Sequence, residues 1–338
     1  MNLKPISYSN IIAIANAWRD MGGALKIDFG ALEPLLWRDG QYRIHDIVSA
    51  LTKMDFKVSM TTNGQLLETF AEKLAFAGLS QIRTSWHSTD PIMFKEISGG
   101  YGNYSRFMHG ITLAIESGIK IAFNRVLLKG YTDDIADQLS FIEYYQSRLK
   151  FYTLLWTPEN ILTKKSFYQD WRPIVRSFVL PHTLKITRIR KQLGRDRLKF
   201  HLLRGGSVEI KLGDNLNRNI HPCILCSFKK ECEEEFGDYI RIDPRFHLYF
   251  CYLRRDLGFS ISEHFRKPDL LKQKIQEKIR DVDVKSLLST TSLRLTLTPF
   301  CNFNCRTPGT KKGWCTEEPG DYIYPQIRTS LFKKGLIK

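Results

Sequence analysis

The first 222 residues of this 338-residue chain contain no cysteine. Nothing in that stretch can be a disulfide or a thiolate metal site. No apolar run approaches the eighteen or more residues of a membrane-spanning helix, so no membrane is expected as a partner. Acidic residues are in short supply: Asp+Glu number 35 against 51 Lys+Arg, a net charge of +16. That balance favours anionic partners and leaves the fold open. Only 13 prolines and a 43% hydrophobic content exclude a fibrous or disordered chain. The length suggests two domains, or one large α/β barrel with an appendage. All seven cysteines lie between Cys223 and Cys315. An odd number, clustered in this way, points to metal rather than to disulfides. The expected surroundings are therefore reducing and cytoplasmic.

The N-terminal run Ile11–Ala17 superficially resembles the apolar core of a secretory signal. A helix over 8–21, capped by Ser9 or Asn10 and stopped by Gly22-Gly23, explains it better. From there to about residue 160, helical patterns near 41–54, 65–77, 104–117 and 134–148 alternate with short apolar strands. The strands read as 25–29, 57–62, 81–85, 119–128 and 151–156. Such alternation describes right-handed βαβ units and a parallel sheet. Residues 161–210 differ, with twelve Lys or Arg against Asp170, Asp196 and Glu209. This segment is either a solvated basic surface or a rim that attracts anions. Gly205-Gly206 between Leu198–Leu203 and Ser207–Leu212 signals a hairpin.

Near the C-terminus, Leu293–Thr298 alternates like a strand and runs into Cys301, Cys305 and then Trp314-Cys315-Thr316-Glu317-Glu318. Three thiolates can hold three irons of a cubane cluster and leave the fourth open for chemistry. Soft thiolates also suit zinc. A second group, Cys223-x2-Cys226-x5-Cys232, precedes Tyr239–Ile242, an Asp243-Pro244-Arg245 turn and Cys251. Four thiolates close a site completely, as in a structural or electron-relaying cluster or a zinc ribbon. Three plus four uses every cysteine.

The first group and its flanking strand resemble the radical S-adenosylmethionine (SAM) superfamily, most closely the branch containing GTP 3′,8-cyclase. Its other landmarks lie at the opposite end of the chain. Ala31-Leu32-Glu33-Pro34 is similar to the Gly-Gly-Glu-Pro segment, and Met60-Thr61-Thr62-Asn63-Gly64 to the Thr-Thr-Asn-Gly strand end. Ser85-Trp86-His87-Ser88 follows the Ser-x-Asp-Ser segment, and Asn124-Arg125-Val126 with Lys129-Gly130 the Asn-x-Val…Lys-Gly segment. The second cysteine group resembles the auxiliary-cluster segment of that branch. Two departures stand out. Nine residues separate Cys305 from Cys315 where the family has two, and Ala31-Leu32 replaces Gly-Gly after Gly30.

In the family the cluster loop comes first, so the resemblance implies a circular permutation. The implied architecture is a partial (β/α)6 TIM-like barrel with strands in the order 293–298, 25–30, 57–62, 81–86, 119–127 and 150–156. A small α+β auxiliary-cluster domain is attached to it. The expected divisions are 1–160 for barrel strands two to six, 161–222 for the basic linker and hairpin, 223–275 for the auxiliary domain and 276–338 for the first strand and cysteine loop. The resemblance implies SAM and two [4Fe–4S] clusters, on Cys301, Cys305 and Cys315 and on Cys223, Cys226, Cys232 and Cys251. Gly30, Leu32, Glu33, Thr61, Asn63, Ser85, Asn124, Leu155 and Trp314 would contact SAM. Arg294, like Thr61, matches a substrate-binding position. Other substrate positions do not match: Ser227-Phe228-Lys229 replaces Arg-x-Arg, and Ala122 replaces a lysine. A changed substrate is expected, anionic and sugar- or nucleoside-like, with an electron donor such as flavodoxin or ferredoxin. A radical SAM maturase acting on a peptide is the alternative enzyme, and a zinc-stabilised nucleic-acid-binding protein the non-enzymatic one.

Overall fold

The computed structural model describes residues 5–30, 33–154, 166–189, 194–217, 226, 239–251, 257–264, 267–281 and 294–298. Helix α1 (Tyr8–Asp20) begins where expected. Ser7, rather than Ser9 or Asn10, is its cap, because Ser7 holds the extended backbone a cap requires and its hydroxyl accepts the Asn10 N–H at 3.3 Å. Gly22, with φ of 76°, ends the helix where a side chain would be strained.

The chain then alternates in regular fashion. Strand β1 (Lys26–Phe29), a short ribbon β2 (Arg38–Asp39) and β3 (Tyr42–Arg43), helix α2 (Ile44–Lys53) and β4 (Lys57–Thr62) come first. They are followed by α3 (Leu67–Phe76), β5 (Gln81–Ser85), α4 (Pro91–Ile97), α5 (Tyr104–Glu116), β6 (Lys120–Val126), α6 (Ile135–Tyr144) and β7 (Arg148–Tyr152). The basic region forms β8 (Thr183–Ile189), β9 (Gly194–Leu202) and β10 (Ser207–Asn217), the last two turning at Gly205-Gly206 as the sequence indicated. Beyond lie β11 (Tyr239–Ile242), β12 (His247–Tyr249), β13 (Phe259–Ser260), α7 (Pro268–Asp281) and β14 (Arg294–Leu297).

Twelve of these strands form one sheet, ordered β13-β12-β11-β14-β1-β4-β5-β6-β7-β10-β9-β8. The central run β14-β1-β4-β5-β6-β7 is parallel throughout, with Ile27 opposite Leu295 and Val58. A strand from the far end of the chain thus lies beside the first one. The sheet also grows at both flanks, through β11 parallel to β14 and β10 parallel to β7. Its outer face carries Phe29, Val58, Met60, Ile82, Phe123, Leu149 and Phe151, all buried in the main core with α2, α3 and α5. Helix α7 packs on α1.

The other face is polar and concave. Strands β11 and β7 are six places apart, about 29 Å in a flat sheet at the usual inter-strand spacing of about 4.8 Å. Yet Tyr152, whose pKa is raised chiefly by burial, also feels Tyr239, and both tyrosines act on the Arg83 guanidinium. A curled sheet accounts for that proximity. Among the described residues, no helix is long and apolar enough to cross a membrane.

Candidate functional site

Period-two alternation decides what faces the trough. On β4 the buried Val58, Met60 and Thr62 point to one side, and the half-buried Ser59 and Thr61 to the other. On the trough side, Ser59 donates to Asp28 at 3.0 Å, and Asp28 pairs with Arg83. Burial opposes the Arg83 charge, but Asp28 more than compensates and raises its pKa. Farther round, Lys150 lies 4.5 Å over the Tyr152 ring.

Glu33 stands at the carboxyl edge of this trough and is 8% exposed. Its Oε1 accepts from Thr62 Oγ1 at 2.7 Å and from Leu35 N–H at 3.1 Å, and its Oε2 from Asn63 N–H at 2.8 Å. Burial pushes its pKa up, and these three donors offset part of that shift. The carboxylate therefore clamps the ends of β1 and β4 to each other. Thr62, which sequence reasoning passed over in favour of its neighbours, is the closest partner. The alternation that turns Thr61 inward turns Thr62 toward Glu33. Asn63 is exposed and accepts the Gln65 N–H at 2.9 Å, forming a local turn.

Gly64 follows with φ of 79°, and a Cβ there would meet Phe107 at 2.6 Å. Gly64→Ala should lower stability by about 1–3 kcal/mol, read as a shifted denaturant midpoint, since both the backbone and the packing resist it. Gly30 differs: a Cβ there would touch Thr296 at an ordinary 3.5 Å, so nothing local demands glycine.

Strand β14 arrives at the same edge. Gly30 N–H donates to Leu297 O at 3.1 Å, Thr298 Oγ1 to Gly30 O at 3.0 Å, and Thr298 N–H to Ile242 O at 2.9 Å. Residue 298 is thus fastened between β1 and β11. Ser85 and Asn124 sit opposite each other on β5 and β6 at this edge, both half-buried. His87, two residues past Ser85, was not singled out by the sequence. Its Nδ1 accepts the Val126 N–H at 3.2 Å. Burial, with help from the Arg125 charge, lowers its pKa to about 4.

Outside the trough, a buried network holds the loops in place. Arg125, fully buried, donates to Gln138, to Tyr131 O and to Asp134. Asp134 in turn accepts from Ser88 and Thr89.

Several expected residues lie outside the described ones: Leu32, Leu155, Trp314, Cys223, Cys232, Cys301, Cys305 and Cys315. Arg294 is described only as backbone in β14. Cys226 is half-buried and Cys251 buried, neither is in a disulfide, and among the described residues no three metal-binding side chains gather. The antiparallel register of β11 and β12 brings Cys251 to the level of Tyr239, at the amino edge of the parallel strands.

Residues 2–142 match the family model of the radical SAM superfamily. Over this stretch the chain is similar to a radical SAM domain. The matched segment includes Glu33, Asn63, Ser85 and Asn124 and none of the seven cysteines. A probable GTP 3′,8-cyclase of Archaeoglobus fulgidus is 38% identical over 136 residues, covering 40% of this chain and 43% of that protein. The GTP 3′,8-cyclase of Rhizobium etli is 34% identical over 120 residues, covering 35% of this chain and 34% of its own. The chain thus spans less than half the length of these relatives. Streptococcus suis SuiB bound to S-adenosylmethionine is similar at 20% identity and a TM-score of 0.39, covering 45% of this chain and 35% of that one.

Proposed function

We propose that this chain is a circularly permuted radical SAM enzyme, with a partial barrel whose first strand is β14. It acts on a small anionic, sugar- or nucleoside-like metabolite. The observation that carries this reading is the fastening of Thr298 to Gly30 at the edge where Glu33 stands. Two residues, Pro299 and Phe300, separate Thr298 from Cys301 in the sequence. Three Cα–Cα steps reach at most about 11 Å, which supports a cysteine loop that would start near the Glu33 edge. Cys301, Cys305 and Cys315 would hold the cluster, and soft thiolates at an open edge suit it.

Glu33, already fixed by three donors, would meet the amino group of SAM, while Ser85 and Asn124 offer polar atoms farther along the same edge. When bound, the cluster and SAM supply a 5′-deoxyadenosyl radical that takes a hydrogen atom from the substrate. The residues of the trough orient the substrate and exclude water. Arg83 and Lys150 on its wall support an anionic one. Cys223, Cys226, Cys232 and Cys251 would hold the auxiliary cluster. Cys251, level with Tyr239, approaches from the opposite edge, roughly 13 Å of strand below Thr298. The basic surface suits an acidic electron donor of the flavodoxin or ferredoxin kind.

The test is anaerobic purification followed by reductant and SAM. The expected protein is brown, contains iron and acid-labile sulfide, and releases 5′-deoxyadenosine. A colourless zinc protein would overturn the cluster assignment, and an iron-loaded protein that releases none would overturn the catalysis.

A further inference from the structure

Strand β8 is the last strand of the large sheet and, among the described residues, pairs along one side only, with β9. Leu184 is the extra residue of a bulge between Thr183 and Lys185, so the regular run is Lys185–Ile189. An edge strand in an antiparallel ladder turns the backbone N–H and C=O of every second residue outward.

The two faces of this edge differ. Ile186 stands opposite Phe200, which is buried in the main core on the helix side of the sheet. Ile186 itself is 48% exposed, so the apolar layer reaches β8 without being covered there. Leu180 and Leu184, just ahead of it in the chain, are exposed as well, as is Leu203, whose N–H donates to His182 O at the start of the strand. The opposite face is polar. Lys185 lies across from His201, and Thr187 lies across from Lys199 and is bonded to His201 at 3.0 Å.

Charge narrows the choice further. Residues 183–204 hold eight Lys or Arg and one acid, Asp196. Asp196 accepts from Arg188 at 2.8 Å, and Glu209, across from Lys199 on β10, is buried within ion-pair distance of Arg148 and Arg197. Both acids thus have guanidinium partners, and the surplus is positive.

We propose that β8 is a docking edge for an extended acidic segment of a partner protein, which adds to the sheet as one more strand. Its apolar residues lie next to Ile186 and prolong the core, and its acidic residues alternate with them on the side of Lys185 and Lys199. A second copy of this chain would set Lys185 and Arg188 against their own kind. A nucleic acid would answer the charge and leave Ile186 and its apolar neighbours uncovered. A strand of alternating character answers both and uses the outward backbone groups. The proposal is independent of the radical chemistry above.

The test is fluorescence anisotropy with the full chain and a labelled peptide of about ten residues, alternating valine and glutamate, the length of one strand. The control peptide has the same residues grouped in pairs, which keeps the charge and loses the alternation. The alternating peptide should bind about tenfold more tightly or better, since only alternation puts its valines on one face and its glutamates on the other. Amide hydrogen exchange across 183–189 should slow when it binds. Ile186→Lys should weaken binding by about tenfold, and Lys185→Glu, at an exposed position that leaves the core alone, by about threefold at low salt, both with the native melting temperature. Equal affinity for the two peptides, no binding of either, or unchanged exchange at 183–189 would overturn the proposal. Tighter binding of a single-stranded RNA of equal charge would overturn it too, and would assign the basic ribbon to nucleic acid instead.

Discussion

Cys305→Ala abolishes 5′-deoxyadenosine release and lowers the iron content by about four atoms per chain, the complement of one cubane cluster. The size of the effect follows from the ligand count. In the proposed site three thiolates would hold three of four irons, leaving the fourth for SAM. Loss of one thiolate exposes a second iron and leaves two protein ligands, too few to retain the cluster. The fold should survive, because the anchors of the approach strand lie elsewhere: Ile27 opposite Leu295, Gly30 with Leu297, and Thr298 with Gly30 and Ile242. Circular dichroism and melting should therefore match the native protein. Cys226→Ala provides the contrast. It should also lower the iron by about four atoms, if the four-cysteine group holds the proposed auxiliary cluster, while 5′-deoxyadenosine release remains measurable. If Cys305→Ala still releases 5′-deoxyadenosine at the native rate, the three-cysteine group is not the SAM cluster site.

The central strands were legible in the sequence because their information is local. Leu25–Phe29, Lys57–Thr62 and Gln81–Ser85 each follow a helix with its own stop, and β1, β4 and β5 appear there within a residue. The place of β14 beside β1 was legible for a different reason: the motifs of two distant segments belong together in proteins that this chain resembles. The flanks were not legible. That Tyr239–Ile242 pairs with β14, or that Ser207–Ile210 runs parallel to Arg148–Phe151, depends on contacts between segments far apart in sequence, and a hairpin signal specifies only its own two strands. At the candidate site, the sequence named Glu33 through its motif but neither Thr62, its nearest hydrogen-bond partner, nor His87. Each is distinguished by which way it points and what its neighbour donates, and a motif records neither. The Ser7 cap was missed because Ser7, Ser9 and Asn10 are all competent caps, and packing of Ile11, Ile14 and Trp18 chooses among them.

Asp134→Ala lowers stability by about 3–5 kcal/mol, and adding Arg125→Met to it restores part of the loss. The Arg125 side chain is 0% exposed, and its pKa is lowered by burial against the pull of Asp134. Removing Asp134 strands that cation in the interior, where an unpaired charge costs several kcal/mol. It also leaves the donors of Ser88 and Thr89 without their acceptor, so the loop after β5 loosens. Arg125→Met alone should cost less, about 1–3 kcal/mol, because Asp134 keeps Ser88 and Thr89 and lies nearer the surface. The double variant removes both charges, so it should be more stable than Asp134→Ala despite carrying one more substitution. Acid should reproduce part of the effect. Burial tends to raise the Asp134 pKa, but Arg125 and the loop donors outweigh it, and the net shift is downward. The unfolded chain therefore binds the proton first, and this contribution is fully present above the ordinary aspartate pKa of about 3.9 and fades as pH falls through the lower folded value. In Asp134→Ala the corresponding part of the acid dependence should vanish. Urea titrations of the four proteins at neutral pH and at pH 3 decide the matter: a double variant no more stable than Asp134→Ala would mean that the buried guanidinium is not what makes Asp134 necessary.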